Sequence, residues 1–213
     1  AGIAASLSAA SVSPSLKVLL LEPTRYVGGM AGPGGIGLRD IGNTAVINST
    51  AKEWGMLNAA HYGVSYPVWQ PDHYVGNESF WKQLQSYENL DVVLNARVVE
   101  GSGVDMSGTT ITALTTSSPS AGVWKGKYFV DASYEGDVVI ASKKISYTWG
   151  RESMAKYNES LAGITGGSVN QFKYPINATW ANGTLLRWVQ DLPDPRTREG
   201  EADGNLMAFS YRL

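Results

Sequence analysis

The chain contains no cysteine. That absence excludes disulfides, thiolate metal sites, iron–sulfur clusters and a cysteine nucleophile together. Histidine is scarce as well: His61 and His73 are the two present. A histidine metal site would need carboxylate help, and these two have no recognisable ligand spacing, so no metal is expected. Basic runs are missing too. The 17 Lys and Arg stand against 19 Asp and Glu, a net charge of −2. Nothing in that balance makes an electrostatic case for nucleic acid or an anionic membrane. No apolar run approaches the roughly 20 residues of a membrane-spanning helix. No signal peptide is visible, and a chain cut at its N-terminus would not show one.

What is present describes a globular protein. Its 213 residues are 43% hydrophobic and 17% charged, which suffices for a substantial core without staples, as one large domain or two small ones. N-x-S/T sequons at Asn48, Asn77, Asn158, Asn177 and Asn182 lean towards a secretory route, with acceptors on exposed segments. The lack of cysteine does not oppose secretion, because a domain of this size need not be cross-linked. A cytosolic protein with chance sequons is the competing reading. Oligomeric state leaves no mark in the sequence.

The most informative stretch is residues 17–30, KVLLLEPTRYVGGM. Val18 to Leu21 form a short apolar run of the kind buried on both faces of a parallel sheet. The run ends in an acid, Glu22. Twenty residues upstream stands Gly2, opening the small-residue run GIAASLSAA. A glycine opening a helix, then a buried strand, then an acid is the second half of a dinucleotide-binding unit. The acid accepts hydrogen bonds from ribose hydroxyls, and the helix start offers N–H groups and a positive dipole end to a pyrophosphate. The first half, a strand and two further glycines, would lie upstream of residue 1, so a truncated chain is expected. An ordinary Ala-rich helix before an ordinary strand is the alternative.

Further along, residues 2–10 read as a helix ended near Pro14. A glycine-dense loop at 28–37 suggests positive φ or close approach of backbone to a ligand. Residues 48–62 read as a helix with an apolar stripe of Ala51, Trp54, Met56, Leu57 and Ala60. The aromatic stretch 66–75 is expected to pack on the domain. A second helix covers 77–87, with Phe80, Trp81 and Leu84 on one side. From Asp91 the period changes to two. Residues 92–94, 96–104, 109–116 and 122–130 read as a small antiparallel meander whose last strand, 128–131, returns to the parallel sheet. That strand leads into DASYEGD at 131–137, an apolar strand ending in an acid at a ligand-facing edge. Residues 138–144 then start a helix.

Several of these pieces together resemble a known family. KVLLLE followed by GGM, a Gly-rich loop with Arg39 and Asp40, the meander, then KYFVDASYEGD and WGRE, are similar to the FAD-dependent oxidoreductases of the glutathione-reductase-like fold. The resemblance covers most of residues 1–163, and the remainder matches loosely. It implies an α/β fold: a parallel dinucleotide-binding sheet with an antiparallel β-meander and inserted helices, truncated at both ends. Residues 1–40 and 91–150 would form a discontinuous FAD-binding domain, 41–90 a helical insertion, and 151–213 the start of a substrate-side domain.

The same resemblance implies site roles. Gly2 would sit under the FAD pyrophosphate and Glu22 would hold the adenosine ribose. Gly28, Gly29 and Met30 would line the cofactor, Val98 would offer its backbone to adenine, and Asp131 and Ala132 would end the strand passing the nucleotide half. Arg39, Asp40 and Arg151 are no more than candidates for chemistry, and a surface charge or an ion pair is the favoured reading of each. The implied activity is flavin-mediated redox of a small organic substrate. An NAD(P)-dependent dehydrogenase and a secreted glycoprotein keeping the scaffold without chemistry are the rival readings.

Overall fold

The computed structural model describes residues 1–34, 42–165, 174, 176–187, 189 and 194–205. Their small-residue opening forms α1 (Gly2–Val12), which stops at Ser13, already extended at φ −151° and ψ 121°. Pro14 follows and bars continuation. Asn89 then ties the helix end to the next strand, its Nδ2 donating to the carbonyls of Ala10, Ser13 and Leu16.

That next strand is β1 (Val18–Leu21), and it pairs in parallel with β2 (Leu90–Val93), from Val18 opposite Leu90 to Leu21 opposite Val93. Pairing continues past the last apolar residue: Glu22 N donates to the Val93 carbonyl, and Ala96 N donates to that of Glu22. Side chains alternate across the pleat. Val18 and Leu20, with Leu90, Val92 and Leu94, join Leu7, Ala10, Val27 and Leu84 in one core. Leu21 points the other way, into a second core with Val104, Leu114, Val138 and Ala141. The expected burial on both faces is incomplete, since Leu19 is 41% exposed. Val92 and Val93, read above with Leu94 as the start of the meander, belong instead to this parallel pair, and the chain turns at Leu94.

Between the two strands lie α2 (Ser49–Tyr62) and α3 (His73–Leu84). The buried face of α2 is Trp54, Gly55, Asn58 and Ala59; of the expected stripe Trp54 is buried and Leu57 half-buried, while Ala51, Met56 and Ala60 face solvent. The reason is Trp69, which lies against Gly55 so closely that an added Cβ would be 2.9 Å from its ring. The aromatic stretch thus packs on the domain, and Asn58 Nδ2 donates to the Val68 carbonyl to hold it there. α3 begins at His73, four residues before the expected start, directly after Pro71 and Asp72. Leu84 on α3 is almost fully buried between α1 and β2. Leu84→Ala should lower unfolding free energy by about 2–5 kcal/mol in a denaturant titration.

The meander is β3 (Val104–Ser107), β4 (Thr110–Thr116) and β5 (Gly122–Lys125), antiparallel in that order. Two expected strands differ. Residues 96–104 are broken by a turn in which Gly101 takes φ +68° and Gly103 N returns to the Val99 carbonyl. A Cβ on Gly103 would lie 2.6 Å from Val99 backbone, so Val98 keeps only a single bridge to Thr116. Residues 128–131 do not join the parallel sheet among the described residues. Phe129 packs into the second core, but Tyr128 and Val130 are 89% and 72% exposed. A fully apolar run therefore behaves as a half-buried extended segment. It is followed by α4 (Asp137–Ser142).

These elements belong to one unit, Ala1–Ser146; a second unit is built on Tyr147–Ser210. The second carries α5 (Met154–Tyr157) and a short hairpin closed by a bridge between Thr179 and Leu185. The result is the mixed α/β class expected, with a parallel pair and an antiparallel meander. No helix among the described residues is long and apolar enough to cross a membrane.

Candidate functional site

Chemistry-bearing groups gather at the carboxyl end of β1. Glu22 is half-buried there. Its Oε1 accepts from Thr24 N–H at 2.9 Å and from the Thr24 hydroxyl at 2.8 Å. Arg25 does not neutralise it; the guanidinium lies over the Tyr26 ring, 4.9 Å from its centroid. The second carboxylate oxygen has no partner among the described residues. The first turn of α1 stands close by. The N–H of Ala5 is the first to bond within the helix, to the Ala1 carbonyl, so those of Gly2, Ile3 and Ala4 are donors without a partner among the described residues. A Cβ on Gly2 would lie 3.5 Å from Leu20 Cδ1 and 3.2 Å from Ala132 Cβ. Glycine here lets the helix start meet β1 and the 131–137 segment at once.

The loop after β1 is braced by α3. Asn77 Nδ2 donates to the Val27 carbonyl at 2.9 Å. His73 Nδ1 lies 2.7 Å from the Gly32 carbonyl; since a carbonyl only accepts, Nδ1 carries the proton. Phe80 closes over Gly28, which takes φ +106°. Gly29 takes φ +52° and sits against the Tyr134 hydroxyl, which accepts from Met30 N–H at 2.7 Å. Gly28, Gly29 and Met30 are thereby joined to the DASYEGD segment, 104 residues downstream.

In that segment the Asp131 carboxylate is consumed locally. Oδ1 accepts from the Ser133 N–H and hydroxyl, and Oδ2 from the N–H groups of Val138 and Val139. Ser133 Oγ in turn accepts from Asp137 N–H. Asp131 caps α4 and shapes the loop that carries Ala132 and Tyr134. Val98 is placed differently. The bonds flanking its bridge use the Arg97 carbonyl and the Val99 N–H, so the N–H and C=O of Val98 point to the open edge.

Arg39 and Asp40 lie outside the described residues. Arg151 lies in the second unit and is an ion pair. Its Nε donates to Asp203 Oδ1 at 2.8 Å, its Nη2 donates to Oδ2, and their backbones bridge as well. The Arg151 hydrogen bonds hold the Asp203 carboxyl well below the usual carboxylate range. Because its folded-state value is lowered, Asp203 contributes stability above the unfolded carboxylate value and loses it as pH falls through the folded one. Acid titration should therefore weaken the second unit progressively below about pH 4. Asp203→Asn should flatten that part of the profile, as hydrogen exchange of residues near 151 and 203 would report.

The sequence assigned Tyr134, Ser133, His73 and Asn77 no part in this site. The Asp131-x-Ser133 spacing before an apolar helix start was a usable capping signal. The other three depend on pairings too distant in sequence to leave a local trace. Among the described residues no group of His, Asp and Glu could hold a metal ion.

A bare helix start, an acid with a free oxygen at a strand end, and an open backbone edge suit an extended ligand with a pyrophosphate, a ribose and a base. Gly2 and Gly29 let the helix start and the loop after β1 pack closely on Ala132 and Tyr134 beside these groups. No curated protein matches the chain, and no solved structure does. A family model described as FAD dependent oxidoreductase matches residues 1–204. The chain therefore belongs to the FAD-dependent oxidoreductase family, whose members are enzymes that use FAD as cofactor.

Proposed function

We propose that this chain carries out flavin-mediated redox of a small organic substrate, with its nucleotide half held at the carboxyl end of β1. The carrying observation is the uncapped first turn of α1, whose Gly2 lies against Ala132 and against Leu20, two residues before the Glu22 carboxylate that closes β1. In this reading Gly2 and its neighbours donate to the FAD pyrophosphate, Glu22 binds the adenosine ribose, and the Val98 backbone meets adenine. Gly28, Gly29 and Met30 line the cofactor on the side braced by Tyr134. Ala132 closes the floor beside Gly2, and Asp131 acts through the loop it caps. The bound FAD supplies two-electron redox chemistry; these residues bind it, orient it and shield it from water.

The test is the visible absorption spectrum of the purified full-length protein. Flavin bands, with FAD released on denaturation, are the expected result. A colourless protein that binds a nicotinamide cofactor, or no nucleotide, would overturn the reading. The sequons support placing the protein in the secretory pathway, since Asn48, Asn158, Asn177 and Asn182 are exposed; Asn77, expected to be exposed with them, is half-buried.

A further inference from the structure

Sequons that look alike in the sequence differ once folded. Asn77 is half-buried on α3, with Nδ2 donating to the carbonyl of fully buried Val27. The hydroxyl of its sequon belongs to Ser79, which is inside. Asn177 and Asn182 are exposed and share one geometry. Asn177 Oδ1 accepts from Thr179 N–H at 3.1 Å and from its hydroxyl at 2.9 Å. Asn182 Oδ1 accepts from Thr184 N–H at 3.1 Å and from its hydroxyl at 2.7 Å. These bonds occupy the carbonyl oxygen and orient the carboxamide, leaving Nδ2 without a partner among the described residues. A tight hairpin holds the pair: Trp180 N donates to the Thr184 carbonyl, Leu186 N to that of Ala178, and Gly183 takes φ +82°.

We infer that Asn177 and Asn182 are N-glycan acceptors, and that Asn77 stays unmodified in the folded protein despite the same motif. The inference rests on the secretory reading above. In the transfer, Nδ2 bonds to the anomeric carbon of an oligosaccharide carried on a lipid pyrophosphate. The carbon–oxygen bond to the pyrophosphate breaks, the lipid pyrophosphate leaves, and Nδ2 gives up one proton. At the hairpin the sugar extends into water and disturbs no bond. At Asn77, folding of α3 withdraws Ser79 from any transferase, and a sugar on Nδ2 crowds the packing of α3 on the loop after β1.

The test is the full chain, sent through a eukaryotic secretory pathway by an appended leader and mapped by glycopeptide mass spectrometry. Glycan on Asn177 and Asn182, with bare Asn77, is expected. Thr179→Ala should remove the first glycan and Thr184→Ala the second, while Ser79→Ala leaves glycan mass unchanged. Glycosylated Asn77 in the folded monomer, or both hairpin asparagines bare, overturns the assignment. Glycan on the leader-directed protein but none on protein from its native source sinks the secretory reading and leaves the acceptor assignment standing.

Discussion

Gly28→Ala is expected to destabilise the protein by about 2–5 kcal/mol and to empty the FAD site with it. Two costs add at this position. Gly28 holds φ +106°, where an L side chain costs about 1–2 kcal/mol. The new Cβ would also lie 2.5 Å from Phe80 Cδ2 and 2.7 Å from Cε2, an overpacking that costs about 1–3 kcal/mol. The ring has little freedom to retreat, because it is stacked on Trp54 with centroids 5.0 Å apart. Trp54 is itself fixed, its Nε1 donating to the Gly76 carbonyl in the core. Gly63→Ala separates the two costs. That glycine takes φ +67° with nothing within 4 Å of a Cβ, so it loses only the backbone part. Denaturant titration of both variants, with FAD content read by absorbance, checks the difference. Equal losses would mean that Phe80 swings aside freely and that α3 does not brace the loop.

Glu22→Ala should weaken FAD binding by about one to two powers of ten, from a charged hydrogen bond of about 1.5–3 kcal/mol. The carboxylate stands at the end of β1 with Oε1 committed to Thr24, which leaves Oε2 for a ribose hydroxyl. Glu22→Gln should fall between, since the amide keeps one acceptor and loses the charge. Thr24→Ala is the matching control. It removes the local turn bonds and keeps the carboxylate, so it should lower the melting temperature more than the affinity. Arg25→Ala should change neither, because Arg25 lies on Tyr26 and not on Glu22. FAD dissociation and thermal unfolding of the four variants decide the matter. Unaltered affinity in Glu22→Ala alongside a lowered melting point would show that the acid serves the turn alone.

The two expectations drew on the sequence unequally. The Gly2-to-Glu22 spacing, the apolar run between and the change to period two after Asp91 were legible because each is local. Helix and strand periods and turn residues act over a few neighbours. The same locality misplaced Val92 and Val93: a short β-branched run reads alike in a meander and in a parallel pair. Only the partner decides, and β1 lies 72 positions upstream of β2 in register. Arg151 was open between chemistry and an ion pair for a similar reason, its partner Asp203 being 52 residues away.

By itself, then, the sequence determined the α/β class, the acid closing β1 and the flavoprotein motifs, all carried by short-range pattern. Tertiary structure alone decided how the site is held. It turned Asp131 inward as the cap of α4, set Tyr134 against Met30, and braced the glycine loop with His73, Asn77 and Phe80. It also left Tyr128 and Val130 exposed in a run that reads as buried strand. The physical reason is common to these cases. Which face of an extended run is buried, and which donor a carboxylate or carbonyl meets, depend on groups that only the closed chain brings together, and an unpaired polar group in the interior costs too much to be left to chance.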